Sequence, residues 1–325
     1  MRPLSRIRRL PRGRVNVTFQ IQAIEKRYIL QRLHPSFGVD GGVVANLAEV
    51  KAKLRGLVRT PDIVPASNGS LWVVDDGLWR MMTVLPGRPP VSRSPETAAE
   101  ACRLLGKFHR ALKINPPRLF HLPEAEHNRD SPAPPEAWDR LLSENQTSPF
   151  FEQARPVLQR GRALANRLPR IEGTTISVLH GDPKLDNFLF DENGVATGIV
   201  DLDLVRKGYL IWELADGLRS WVSLRTSRDT IVLEFDIFAA SIASYKIHGL
   251  ELAPEEWELL PGATIAVTLN LARRYFQDFF ERNYFVWDKD KYPSLAEQNL
   301  TRGTALLSLA EQLLENEKKL QALIH

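Results

Sequence analysis

Residues 176–204 read ISVLHGDPKLDNFLFDENGVATGIVDLDL. Two short apolar runs, Ile176 to Leu179 and Gly198 to Val200, each end at a polar cluster, and a turn signal, Asp191-Glu192-Asn193-Gly194, lies between them. The pattern predicts a strand, a loop and a hairpin. The strand delivers His180, Asp182, Lys184 and Asn187 onto one loop, and the hairpin folds back to bring Asp201 and Asp203 beside them. HGD or DLD alone would be an ordinary turn. The joint order of strand, polar loop, hairpin and aspartate is what defines a site.

Carboxylates and an amide gathered at one spot suit phosphoryl transfer. A hydroxyl nucleophile needs a carboxylate to orient it and accept its proton, and an asparagine with a second carboxylate can hold the Mg²⁺ that neutralises developing phosphate charge. Asp182 fits the first role, and Asn187 and Asp201 fit the second. The spacing H-G-D-x-x-x-x-N from His180 to Asn187, followed by Asp201, resembles the catalytic loop and metal-binding aspartate of the aminoglycoside-phosphotransferase and choline-kinase type of small-molecule kinases. Gly181 stands where protein kinases carry arginine, as in the small-molecule branch. In this frame Lys184 steadies the transferring phosphate, and Asp203 orients the loop or holds a second metal ion.

Composition bounds the rest. At 325 residues the chain is long enough for two lobes with a substantial core, and 43% hydrophobic with 25% charged residues is a globular composition. No run approaches the roughly 18 apolar residues of a membrane span, and the N-terminus lacks an apolar signal core, so a cytoplasmic protein with no membrane partner is expected. The single cysteine, Cys102, lies in the helix-like EACRLLGKFHRAL and reads as a small core residue. The net charge of +4 is misleading: Arg2, Arg6, Arg8, Arg9, Arg12 and Arg14 all precede Val15, and elsewhere acids slightly outnumber bases. No broad basic face remains for nucleic acid. Residues 1–13 are expected to be frayed.

Residues 14–86 read as a small, sheet-rich lobe. RVNVTFQIQ and KRYILQRL are β-type runs, SLWVVDDGLWRMMTVLPG supplies a hairpin around Asp75 to Gly77, and Val43 to Leu57 has helical spacing. This order is that of the small lobe of a kinase-like fold, with Gly13 and Arg14 to Thr18 at the position of the phosphate-covering turn. The third-strand lysine of kinases is missing, and Gln31 or Arg32 stands there instead, with Glu49 as a possible partner for Arg32. YILQRLHPSF is similar to the corresponding strand of N-acetylhexosamine 1-kinases, in which the lysine is likewise absent.

MMTVLPGRPP, from Met81 to Pro90, has the content of an interlobe hinge, where backbone near Met82 to Val84 would meet an adenine ring. Ser94-Pro95-Glu96 then caps a helix, and the proline-rich stretch from Pro116 to Pro135 is a connector at the rim of the site. Residues 87–325 form the large lobe, with the catalytic loop at 178–204 and helical patterns at Ala137 to Leu142, Phe150 to Leu168, Thr230 to Ile247, Glu255 to Arg282 and Ser294 to Ile324. KGYLIWELADGLRSW resembles the family helix in which a buried acid and an arginine tie the loop in place, and Asp216 with Arg219 fit those roles. Arg274, Asp278, Tyr284 and Arg302 match a C-terminal pattern of the N-acetylhexosamine 1-kinases and are the expected substrate-binding residues.

The resemblance implies an α+β, bilobal, protein-kinase-like enzyme. It would transfer the γ-phosphoryl of ATP, with Mg²⁺, to a hydroxyl of a small molecule, foremost the anomeric hydroxyl of an N-acetylhexosamine. An amino alcohol or aminoglycoside is the alternative acceptor. A catalytically weak nucleotide-binding pseudokinase is the alternative of another class.

Overall fold

Alternation of polar and apolar residues on either side of a tight connection makes an antiparallel pair of Val17–Ala23 (β2) and Arg27–Arg32 (β3). In the computed structural model, which describes residues 4–10, 16–24, 26–38, 40–120, 134–168, 171–172, 174–225, 227 and 230–325, this pair is the centre of a five-stranded sheet. Its order is β1-β2-β3-β5-β4, with β1 at Leu4–Arg9, β4 at Val73–Val74 and β5 at Leu78–Thr83, all antiparallel.

Over Leu4–Arg9 the arginine-rich start is a strand and not the frayed segment expected of residues 1–13. Its backbone pairs with β2, from Arg6 opposite Gln22 to Arg9 opposite Phe19. An edge strand gains its ladder hydrogen bonds while charged side chains stay in water, and charge at an edge also opposes further pairing. Gly13, Arg14 and Val15 of the expected phosphate-covering turn lie outside the described residues, as does most of the proline-rich connector. Phe120, at the connector's start, is held by Asn46 through two hydrogen bonds, Phe120 N to Oδ1 at 2.6 Å and Nδ2 to Phe120 O at 3.1 Å.

The helix Gly42–Leu54 (α1) is divided between two cores. Val43 and Val44 pack with Leu33, Phe37, Leu78 and Leu204 in a small cluster under the sheet, whereas Leu47, Val50 and Leu54 belong to the main core of the helical lobe. Beyond β5 the chain crosses to that lobe through Gly87, whose neighbour Arg88 exchanges backbone bonds with Phe190 (3.1 and 2.8 Å). Gly87 has φ +96°, and a Cβ there would stand 2.8 Å from the Phe190 carbonyl oxygen. Gly87→Ala is expected to cost about 1–3 kcal/mol from backbone strain alone; a denaturation midpoint equal to wild type would show that the crossing relaxes freely.

The helical lobe begins with Pro95–Ile114 (α2), whose Ser94 cap accepts from Thr97 N at 3.2 Å, as its sequence signals. Pro135–Glu144 (α3) and Phe151–Ala165 (α4) follow. Ile176–Leu179 (β6) then pairs with Arg206–Tyr209 (β9), and Phe188–Phe190 (β7) with Ala196–Ile199 (β8). Part of KGYLIWELADGLRSW is thus a strand: Lys207 and Gly208 complete β6, and the helix (α5) starts at Leu210 and ends at Trp221. A hairpin of Ser223–Arg225 (β10) and Ile231–Leu233 (β11) replaces the start of the helix expected from Thr230. Phe235–His248 (α6), Pro254–Glu258 (α7), Leu260–Glu281 (α8), Leu295–Glu315 (α9) and Glu317–Ala322 (α10) complete the lobe. The pattern read as one helix over Glu255 to Arg282 breaks at Leu259, because Pro261 starts a new helix in its first turn. No helix among the described residues is long and apolar enough to cross a membrane.

Candidate active site

His180 fixes the start of the loop. It is fully buried; its Nε2 stands 2.9 Å from the Val200 carbonyl, and its Nδ1 accepts from Asp182 N at 3.2 Å. Those two partners fix the orientation of the ring. Gly181 follows with φ +85°, and a Cβ would lie 2.4 Å from the Leu204 carbonyl oxygen, so only glycine lets the two arms of the segment close. The loop then delivers Asp182, whose Oδ2 is in contact with the Lys184 ammonium and 3.4 Å from Asn187 Nδ2. Asn187 Nδ2 also binds Asp182 O at 2.8 Å. Lys184 Nζ lies 3.6 Å from Asp201 Oδ2. Four of the sequence-predicted residues therefore meet, on the loop after β6 and just past β8.

Asp201 has φ +66°, an uncommon conformation for a side chain other than glycine, which turns its carboxylate towards Lys184. The side chain is 46% exposed. Enclosure by the surrounding protein, then the nearby Asp203 carboxylate, pushes its pKa up, while Lys184 pulls it down. Among the described residues no group of three or more His, Cys, Asp or Glu is gathered around a common point as a metal site.

The loop is held from below by a residue outside the predicted set. Glu213, on α5 and 2% exposed, accepts from His180 N at 2.6 Å and Gly181 N at 3.0 Å, with His109 Nε2 3.4 Å away. Burial alone would raise its pKa, but His109, His180 and the Gly181 amide outweigh burial and hold it below the usual carboxylate range. His109 is itself held by Tyr245, hydroxyl to Nδ1 at 2.7 Å. Trp221 Nε1 adds a bond to Pro183 O at 2.9 Å. The buried acid expected on this helix is thus Glu213 and not Asp216, which pairs with Arg219 at 2.9 Å instead. Asp216 lies three residues further along, about 60° off the loop-facing side of the helix. The missed signal was a glutamate flanked by apolar residues in WELA.

Asp203 lies near Asp201, but its oxygens are turned to the small lobe. It is 3% exposed, with Arg80 Nη2 at 2.5 Å from Oδ1 and Asn16 Nδ2 at 3.0 Å from Oδ2. Its charge is spent on the small lobe. Gln31, opposite Arg80 in the sheet, accepts from Arg80 Nε at 3.1 Å and Nη2 at 2.7 Å, and donates to Thr18 Oγ1 at 3.3 Å. Arg32 points to the other face of β3, as strand alternation requires, and there meets Asp76 at 3.4 Å. Glu49 is not its partner; it accepts from Arg118 N at 3.4 Å. At the expected adenine edge the amides are engaged: Thr83 N donates to Asp62 O at 2.9 Å and Val84 N to Arg27 O at 3.4 Å, while Met82 packs against the main core. Residues 62–64 lie alongside β5 and occupy the edge that the sequence left open.

The expected substrate residues lie on α8, on α9 and at the turn between them. Asp278 is 2% exposed and accepts from the backbone of Asn283 (2.8 Å), Tyr284 (2.7 Å) and Phe285 (3.0 Å) and from Asn299 Nδ2 (2.8 Å). Asp278 was expected to bind substrate, but its oxygens are taken by the turn after α8 and by Asn299. Arg274 instead lies over the Tyr284 ring at 4.8 Å, and Arg302 over Tyr292 at 5.3 Å with Asp288 at 3.7 Å. Beside them Arg273 is held below its ordinary pKa by burial and by the charges of Arg274 and Arg140.

Comparison with known proteins places this geometry. No curated protein sequence matches the chain. Among solved structures, an amicoumacin kinase in complex with AMP-PNP, Ca²⁺ and Ami is similar at 16% identity, covering 91% of this chain and 87% of that one, with a TM-score of 0.61. The choline kinase of Cryptosporidium parvum Iowa II shares 12% identity over 96% and 90%, TM-score 0.58, and a microcompartment-associated aminopropanol kinase 16% over 96% and 93%, TM-score 0.61. These establish the kinase-like α+β fold. The family profile described as APH, the phosphotransferase enzyme family, matches residues 6–236 and so stops short of the C-terminal residues that resemble the N-acetylhexosamine 1-kinases. With more than half of its length in that match, including the whole segment from His180 to Asp203, the chain belongs to the APH phosphotransferase enzyme family and is a phosphotransferase of small-molecule hydroxyl groups.

Proposed function

We propose that the protein transfers the γ-phosphoryl of ATP to a hydroxyl of a neutral or anionic small molecule, with the anomeric hydroxyl of an N-acetylhexosamine as the leading acceptor. The observation that carries the reaction is the meeting of Asp182, Lys184, Asn187 and Asp201 at one loop. Asp182 orients the acceptor hydroxyl and receives its proton. Lys184, which bridges the Asp182 and Asp201 carboxylates, is placed to neutralise charge on the phosphoryl group as it moves between them.

Asn187 and Asp201 carry hard oxygen donors of the kind Mg²⁺ prefers, and the Asp201 carboxylate is 46% exposed and faces the Lys184 ammonium. They fit the metal; Asp203, closed off by Arg80 and Asn16, does not. When bound, the ion supplies charge neutralisation at the phosphates.

For the acceptor, we take the turn after α8 as its end of the cleft. The amicoumacin, choline and aminopropanol kinases named above are neighbours in fold only. A cationic acceptor needs unpaired carboxylates, whereas here Asp278 is consumed internally, Asp288 faces Arg302 and Lys291, and Arg140, Arg273 and Arg274 cluster. Guanidinium and aromatic faces suit a sugar or a phosphorylated or carboxylated alcohol. Coupled ADP release measured against a panel of N-acetylhexosamines, sugar acids, aminoglycosides and amino alcohols decides the matter. Turnover confined to the cationic members would sink the acceptor assignment, and no turnover with any acceptor would favour a pseudokinase.

A further inference from the structure

Arg80 is a buried cation whose hydrogen bonds are incomplete. Its side chain is 2% exposed. Nε and Nη2 bind Gln31 Oε1, Nη2 also meets Asp203 Oδ1, and Nη1, with two N–H groups, has no hydrogen-bond partner among the described residues. An unpaired guanidinium nitrogen in the interior carries a desolvation cost, so its location matters. Asp203 follows Asp201 by two residues, and its other oxygen binds Asn16, the first described residue after the β1–β2 connection. Arg80 shares a cross-strand row with Thr18 and Gln31, on the sheet face where Leu78 packs with α1. Arg80 and Asn16, the residue before β2, thus meet on Asp203, two residues past the metal-type aspartate and beside the β3 position that lacks a lysine. In the proposed reaction the nucleotide's phosphates pass between the sheet and Asp201, on the side where Arg80 lies.

We propose that Arg80, on β5, is the phosphate-binding cation of the small lobe, oriented by Gln31 and held by Asp203 until Nη1 takes a phosphate oxygen of the nucleotide. Gln31 does not replace the missing lysine; it aligns the arginine that does. Guanidinium suits the task because it can keep Asp203 on one nitrogen and bind phosphate with another, which a point-charge ammonium does less well.

The inference rests on the proposed use of ATP, and the test separates the two. Affinities of wild type, Arg80→Lys and Arg80→Met for ATP, ADP and adenosine would be measured by calorimetry with Mg²⁺ present. Arg80→Met is expected to weaken ATP and ADP by about 10–100-fold and adenosine by less than about twofold, with Arg80→Lys between. Equal losses for all three ligands, or none, would overturn the assignment. Wild type failing to bind ATP and ADP would overturn the ATP reading and this one with it. Because Arg80→Met leaves Asp203 buried without its cation, Arg80→Met with Asp203→Asn removes both charges and must show the same selective loss.

Discussion

Asp182→Asn is expected to lower turnover by about 10²–10⁴-fold while leaving nucleotide affinity close to wild type. The range is that of a positioned group taking a proton in the transition state. Asparagine preserves the shape of the side chain and can still accept from Lys184, so the loop should keep its path; only basicity and negative charge are lost. Single-turnover transfer, measured alongside ATP binding, isolates that step. A variant that transfers phosphate at near wild-type rate would remove Asp182 from the chemistry and leave it a structural partner of Lys184 and Asn187.

The largest stability effect is expected at Glu213. Glu213→Ala leaves the His180 and Gly181 amides without an acceptor in a fully buried place and removes the carboxylate that faces His109. Breaking a buried, hydrogen-bonded charge costs about 3–5 kcal/mol, a large share of the roughly 5–15 kcal/mol that holds a domain folded. Glu213→Gln keeps one acceptor oxygen but turns an NH₂ towards one of the two amides, so about 1–3 kcal/mol is expected. Urea midpoints for the pair should fall in that order. Equal midpoints would mean that the amides find other acceptors, and turnover should fall with stability only in so far as the loop shifts.

The meeting of Asp182, Lys184, Asn187 and Asp201 is legible in the sequence because it is local. Asp182, Lys184 and Asn187 lie within one short segment, and a hairpin turn brings Asp201 back to it, so spacing alone implies proximity. What holds the loop is not legible, because it arrives from remote helices and strands. Glu213 is 33 residues from His180, and Asp203 meets Asn16 at a separation of 187. A buried glutamate between apolar neighbours and an arginine in a strand look like a surface residue and a solvent-facing one until the burial is known. Asp278 failed for a related reason: a carboxylate near a helix end is as good an acceptor for a turn's own amides as for a ligand, and here the turn takes it. The arginine-rich start failed because composition speaks to solubility and charge, whereas pairing with β2 needs only backbone.

The division of α1 between two clusters has a consequence for how the molecule folds. Leu47, Val50 and Leu54 are sealed into the helical lobe and Val43 and Val44 under the sheet, and Leu204, three residues past Asp201, joins the latter. A fragment cut at Gly87 would carry a helix with its apolar face half bare and a sheet missing one wall of its filling. The sheet lobe and the helical lobe therefore share α1, and a fragment of either would lack part of its core.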